Sequence, residues 1–423
     1  MKKGLLISII VLILVIIIAI FSVKPIKKKI ATKRLAEGIA LYDSNNFKEA
    51  IVSFQKAIKL NNSLLEAYIN LAKSQLNLGL NDEAFKNGEK VIALNKNNAE
   101  GYSICGEVKI HEENYSGAIA YFDKAIEFDT LNASAYYYRG VAKANLGEYQ
   151  AALADYNQAQ RLDATNSEYL ESGLVVRTKL NDYSGIIKDY NKLLELDPSN
   201  TEAFYQRGYF KFNIEDYQGA ISDFDNALKL DNKLGKAYYY RGLANAKSGN
   251  LPEAAKNFNE SAMNGYKAHE SFFNAGLAYM QLKKSRDAKQ ALENCIKANN
   301  NGPKTTDARI NLGAIQLMNS NFEGAINTYT ELLKSDSKNT DALFNRAYAY
   351  GSIKSYSNAI EDLNSCINYG RGTGDVYYLR AVQLISLGRY KESCPDLEIA
   401  SKNGIKEAKE LYETYCINNQ LAK

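Results

Sequence analysis

Hydropathy divides the chain into two unequal parts. Leu5 to Val23 is an unbroken run without a charge, apolar except for Ser8 and Ser22. At about 1.5 Å per residue it would extend roughly 28 Å as a helix, close to the hydrocarbon thickness of about 30 Å. Everything after Lys24 mixes apolar and polar positions and carries a repeat. Ala50, Ala84, Ala118, Ala152, Ala220, Ala254 and Ala288 are evenly spaced, with Ile186 taking the place between Ala152 and Ala220. Gly38, Gly106, Gly140, Gly208, Gly242 and Gly276 keep the same beat. Aromatics follow one helical turn after the alanine position: Phe54, Phe122, Tyr156, Tyr190, Phe224 and Phe258. Three series in one phase predict a repeated helical hairpin, in which small residues let two helices approach and rings fill the space between them.

The pattern resembles the tetratricopeptide-repeat (TPR) family, whose unit has about 34 residues and two antiparallel helices. The resemblance covers Ala31 to about Ile405. It implies an all-α protein, a right-handed superhelical α-solenoid of about eleven hairpins preceded by one transmembrane helix. The predicted organisation is an anchor with a basic flank at 1–30, units 1–8 at 31–302 and an insertion, Pro303-Lys304-Thr305, at 303–305. Units 9–11 follow at 306–407, and a capping helix and tail at 408–423. The family's small residue is Gly or Ala in every unit but the fifth, which has Leu174. Tyr or Phe replaces the tryptophan often found near the unit start, and the closing proline appears only at Pro198. Ile405 to Ile417 reads as one amphipathic helix that closes the array.

The apolar run is longer than the core of a cleaved signal peptide, and Ile20-Phe21-Ser22 is a poor cleavage site. It therefore predicts an uncleaved single-pass anchor, residues 5–23, in a bacterial inner membrane. Lys24, Lys27, Lys28, Lys29, Lys33 and Arg34 follow it, whereas only Lys2 and Lys3 precede it. That balance favours a cytosolic array; a Lys-led export signal-anchor would place the array outside. Both orientations stay open.

Composition adds few further constraints. The chain has 31 Tyr, no Trp, 5 Pro and a formal charge of +4. So small an excess, gathered beside the anchor, argues against a nucleic-acid partner. His111 and His269 stand outside any metal-ligand or triad spacing, and no catalytic constellation, cofactor motif or metal site is expected. Gly370-Arg371-Gly372-Thr373-Gly374 lacks the strand and the Lys-Ser/Thr ending of a phosphate loop and reads as a turn between repeats. Arg139, Arg207, Arg346 and Arg380 precede Asp155, Asp223, Asp362 and Asp396 by one constant interval. This spacing predicts ion pairs across the hairpin, worth about 0–1 kcal/mol each if exposed.

In the TPR family the first helices line a concave groove. The register places Tyr137, Tyr205, Tyr209, Phe212, Tyr239, Phe273, Phe344, Tyr348 and Tyr378 on that side, a stripe suited to protein or peptide partners. The function implied is a membrane-anchored scaffold or adaptor rather than an enzyme. An anchored import receptor of the mitochondrial outer membrane is the alternative. Against it, the Lys and Asn positions of the family's carboxylate clamp correspond here to Leu35 and Ile39. Of five cysteines, Cys105, Cys295 and Cys366 fall at positions facing the stack. Cys394, which opens the last repeat helix, and Cys416 lie at similar distances on either side of the turn at Asn403-Gly404, so antiparallel packing would bring them level. A disulfide between them is expected only in an oxidising compartment.

Overall fold

The computed structural model describes residues 25–418; the apolar run at 5–23 and the tail at 419–423 lie outside them. Among the described residues there are helices and turns but no strand, and no helix is long and apolar enough to cross a membrane. The chain divides after Pro198 into two units. The N-terminal unit contains α1 (25–43), α2 (Phe47–Leu60), α3 (Leu65–Asn77), α4 (Asn81–Leu94), α5 (Ala99–His111), α6 (Tyr115–Phe128), α7 (Ala133–Asn145), α8 (Tyr149–Leu162), α9 (Ser167–Lys179) and α10 (Tyr183–Leu196). The C-terminal unit opens with α11 (Thr201–Asn213), α12 (Tyr217–Leu230), α13 (Gly235–Lys247), α14 (Leu251–Met263), α15 (Ala268–Gln281) and α16 (Ser285–Ala298). It continues through α17 (Thr305–Met318), α18 (Phe322–Ser335), α19 (Thr340–Ser352), α20 (Tyr356–Asn368), α21 (Gly374–Ser386), α22 (Tyr390–Lys402) and α23 (Lys406–Tyr412). Odd-numbered helices up to α21 are the first members of hairpins, even-numbered ones the second.

The three sequence series meet inside the hairpins that carry them. All the periodic alanines are fully buried. The glycines of the first helices lie under the rings of the second. A Cβ at Gly106, Gly140, Gly208 or Gly242 would stand within 2.9 Å of a carbon of Phe122, Tyr156, Phe224 or Phe258. Nothing larger than hydrogen fits there while the ring stays in place. Asparagine and aspartate end the turns. The side chains of Asn98, Asn132, Asn166 and Asn200 accept from backbone N–H groups of the next first helix, and those of Asn114, Asp182, Asp216 and Asn321 do so for second helices. Each supplies an acceptor for a first-turn donor that no helical carbonyl can reach.

The evenly spaced Arg–Asp pairs form, but they are not exposed. Arg139, Arg207, Arg346 and Arg380 each make two hydrogen bonds to Asp155, Asp223, Asp362 and Asp396, and the four aspartates are only 2–5% exposed. The sequence estimate of about 0–1 kcal/mol applies to solvated pairs; at a buried one desolvation offsets the attraction, and the large cost arises when one partner is removed. Arg139 also reaches back to Asp123 on α6 at 2.7 Å, Arg346 to Thr330 at 3.0 Å and Arg380 to Asn364 at 2.6 Å. One guanidinium thus fixes its own hairpin and ties it to the preceding one. Arginines so engaged do not form a ladder for an acidic ligand.

The fifth hairpin departs from the rule, as Leu174 and Ile186 foretell. There Arg177 replaces the missing arginine, bonding Asp189 at 2.6 Å and Asp182 at 2.5 Å. Burial raises the Asp189 carboxyl above its ordinary value, with Arg177 opposing the shift.

The closing helix differs in detail from the single amphipathic helix expected. It is α-helical over Lys406–Tyr412 and then winds wider, as π-helix, over Glu413–Asn418. Ala408 and Cys416 are buried against Leu397 and Ala400 of α22, and Tyr415 stacks on Tyr390. Cys394 is bonded to Cys416, their Cα atoms 5.8 Å apart. Cys394 lies within the first turns of α22 rather than at its start, with Pro395 inside the helix.

Asp155→Ala should leave half-buried Arg139 and Lys143 without their shared partner, Arg139 keeping only Asp123, and cost up to ~3 kcal/mol. Breaking the exposed Lys334–Glu331 pair should change stability little. Urea melts of the two variants check this, and equal losses would mean that burial adds nothing to the Arg139 pair.

Candidate functional site

With units beginning at 31, 65, 99, 133, 167, 201, 235, 269, 306, 340 and 374, the predicted aromatic stripe resolves into two series with different fates. Tyr137, Tyr205, Tyr239 and Phe273 are fifth residues of their units and are 4–8% exposed. They pack between hairpins, and the next first helix covers them. Tyr137 donates its hydroxyl to Glu168 at 3.0 Å and Tyr239 to Glu270 at 2.8 Å. Lys236 Nζ lies 4.2 Å from the ring centre of Tyr205, Lys267 Nζ 4.7 Å from Tyr239, and Lys304 Nζ 5.5 Å from Phe273. Burial raises the phenol pKa of Tyr205 and Tyr239. These four rings are core, which corrects their assignment to an open groove surface. Phe344 and Tyr378 share the position but are only half-buried, Phe344 beneath the Arg371 guanidinium at 4.5 Å.

The ninth residue behaves differently. Ile39, Lys73, Glu107, Val141 and Val175 in the N-terminal unit are all at least partly exposed. So are Tyr209, Leu243, Leu277, Ala314, Tyr348 and Val382 in the C-terminal unit. Val175 is 64% exposed and Tyr348 49%, so both keep apolar surface in water. Tyr209 packs edge-on against Tyr240 with one side open, and Phe212 lies against Tyr217 and Tyr240. Of the predicted stripe, Tyr209, Phe212, Phe344, Tyr348 and Tyr378 therefore remain accessible.

In the N-terminal unit the same side holds a cleft of about 480 Å³. Its walls are Tyr42 of α1, Lys73, Leu76 and Asn77 of α3, Glu100, Ser103, Glu107 and His111 of α5, and Asn132, Ser134 and Tyr138 at the start of α7. Lys73 Nζ pairs with Glu100 Oε2 at 2.7 Å. Glu107 is half-buried, and burial, with the Glu100 charge adding and Lys73 opposing, pushes its carboxyl up to about 7. The sequence reading missed these residues. The signal available was phase: Lys73 and Glu107 fall at the same position as Tyr209 and Tyr348.

The remaining candidates are structural. His269 accepts the Lys304 backbone N–H at Nε2 (3.2 Å), which leaves Nδ1 protonated to donate to the Cys295 carbonyl at 3.0 Å. It thereby fastens the inserted turn before α17, whose first residue is Thr305. His111 Nδ1 bonds Asn81 at 3.0 Å. Burial pushes the thiol of Cys105 up to about 12 and those of Cys295 and Cys366 up to about 11, so these cysteines are inert fillers. Arg371, inside the glycine-rich turn, is tied to Asp341 at 2.6 Å and Asp375 at 3.4 Å. Among the described residues, no group of three or more His, Cys, Asp or Glu could hold a metal.

Helical hairpins in strict repeat register, small residues seated under rings, and an accessible first-helix face define a helical-repeat protein built to present a surface. Family models of the tetratricopeptide repeat match residues 65–98, 110–167, 205–265, 273–340 and 319–366, and a TPR-repeat model matches 38–79. These matches span more than half of the chain, which belongs to the tetratricopeptide-repeat family. A stretch of 107 residues is 30% identical to the small glutamine-rich tetratricopeptide repeat-containing protein 2 of Saccharomyces cerevisiae, covering 23% of this chain and 30% of that protein. Among solved structures, YrrB, a TPR protein with an unusual peptide-binding site, is 25% identical, with 42% of this chain and 92% of YrrB covered at a TM-score of 0.37. A thermophilic TPR protein of Thermus thermophilus is 24% identical, with 43% and 99% covered, also at 0.37.

Glu107 generates a pH prediction. Its folded pKa lies above the usual 4.5, so its contribution to the fold is fully present below that value and is lost as pH rises through about 7. Glu107→Gln should therefore stabilise the protein at pH 8, by ~3.5 kcal/mol at most given about 1.4 kcal/mol per pKa unit, and make no difference at pH 4. Thermal melts at the two pH values test this. A variant less stable than the parent at pH 8 would mean that Glu107 has a stabilising partner in the fold.

Proposed function

We propose that the protein is a membrane-anchored scaffold that holds extended segments of partner proteins along the first-helix face of its repeats. The observation that carries the reading is the ninth-residue series: no member is buried, and it includes Val175, Tyr209 and Tyr348. Exposed apolar and aromatic groups recurring at one register position suit an extended chain, and interface energy concentrates in such residues. The 5–23 run supports the anchor, since its length and apolar character match a membrane span. The Cys394–Cys416 bond supports an array on the oxidising side of a bacterial inner membrane, because such bonds persist only there. The receptor alternative gains nothing from the clamp positions, where Leu35 is buried and Ile39 half-buried.

Two measurements test the reading. Tyr209→Ala with Tyr348→Ala should reduce partner recovery after crosslinking in intact cells, by ~2–4 kcal/mol if both are hot spots, with little change in melting. Tyr205→Ala with Tyr239→Ala should instead unfold the C-terminal unit, each costing ~3–5 kcal/mol. Full recovery with the first pair would place binding on another face. For topology, a membrane-impermeant thiol reagent should label Cys394 and Cys416 on intact cells only after reduction. Labelling of two free thiols only after lysis would put the array in the cytosol.

A further inference from the structure

The N-terminal cleft carries an unbalanced charge. Lys73 and Glu100 neutralise one another, while Glu107 makes no hydrogen bond or ion pair to another described residue. A single half-buried carboxylate, facing a cleft about 480 Å³ in volume, is left without a direct partner, its nearest cation, Lys73, being held by Glu100. A buried or half-buried charge normally has a partner, because leaving water is costly without one. Three ligand classes fit poorly. An anion would meet Glu107 directly, and the only wall ammonium is already paired. A divalent cation needs several free carboxylate or carbonyl oxygens, and Glu100 is engaged by an ammonium. An apolar group would bury Glu107 further.

We propose that this cleft takes a Lys or Arg side chain from the bound segment of a partner protein, its cationic head paired with Glu107. The inference rests on the groove reading, since Lys73 and Glu107 occupy the ninth-residue positions through which that face is defined. The Ser134 hydroxyl and the side-chain carbonyl of Asn77, whose amide nitrogen is held by the Lys73 carbonyl, are suited to the peptide groups flanking such a residue. Guanidinium would add a second hydrogen bond to the carboxylate that ammonium cannot place as well, so Arg is the better occupant.

The pair requires an ionised Glu107. The titratable and charged groups around it are Lys73 on α3, Glu100 and His111 on α5, Tyr138 on α7 and Tyr42 on α1. With its carboxyl at about 7, the ionised fraction falls about tenfold between pH 8 and pH 6, and affinity for a basic peptide should fall with it. A peptide without a basic residue should show no such dependence.

The test uses the full-length chain in detergent, panned against a phage-displayed library of random linear peptides at pH 8. The expected result is enrichment of Arg or Lys at one position by the parent protein, lost with Glu107→Gln. Binding of a selected basic peptide should weaken about tenfold from pH 8 to pH 6 in the parent and stay flat in Glu107→Gln. The melt of Glu107→Gln at pH 8 guards against unfolding as the cause. Glu107→Lys supplies a second arm, since it should turn the preference to acidic residues. Selected peptides that lack a basic position, or keep it with Glu107→Gln, overturn the inference and leave the groove reading standing. Failure to select any peptide sensitive to Tyr209→Ala, Tyr348→Ala or a Glu107 variant overturns both.

Discussion

A second helix can settle onto a first only as closely as the side chains between them allow. In hairpin after hairpin that limit is set by a glycine under a ring: Gly106 under Phe122, Gly140 under Tyr156, Gly208 under Phe224, Gly242 under Phe258. This close approach draws the periodic alanines into full burial, because a wider gap would leave them lining a void. It also sets the separation across which Arg139 reaches Asp155 and Arg207 reaches Asp223 with paired hydrogen bonds. The Arg139 guanidinium then has one nitrogen left, and it goes to the preceding hairpin. Ring, alanine and arginine thus depend on one steric allowance, renewed in each of these hairpins.

The hairpins were legible in the sequence because their determinants are local and repeated. Gly, Ala and aromatic positions recur in one phase, and a single hairpin suffices to satisfy them. The accessible face was harder to read. The fifth and ninth residues of a first helix lie only about 40° apart around its axis, at about 100° per residue. Which of them the next hairpin covers depends on how hairpins stack, a relation absent from any one unit. Tyr205 and Tyr209 therefore look alike in the sequence. In the structure Lys236 and Tyr240, both from the next first helix, cover the former, and only Tyr240 meets the latter, edge-on. The Lys73–Glu107 cleft escaped notice for a related reason: charged residues at helical spacing usually mark a solvated surface, and only stacking shows that Glu107 is half removed from water.

The fifth hairpin shows how the rule can be relaxed. Without the glycine at its usual place or the usual arginine, Arg177 moves the ion pair one helical turn along and engages both Asp182 and Asp189. The hairpin keeps its two helices, so the repeat tolerates exchange of its determinants provided the buried carboxylate retains a cation.

A stack of repeats that touch only their neighbours behaves like a zipper, and zippers come undone from their ends. The bond between Cys394 and Cys416 sews one end shut, because the closing helix cannot peel from α22 without taking α22 with it. Unravelling from that side must begin with the loss of a whole hairpin rather than a single turn of helix. The smallest step toward disorder at this end is therefore a large one, and proteases or tension acting on the tail meet a cooperative block in place of a fraying edge.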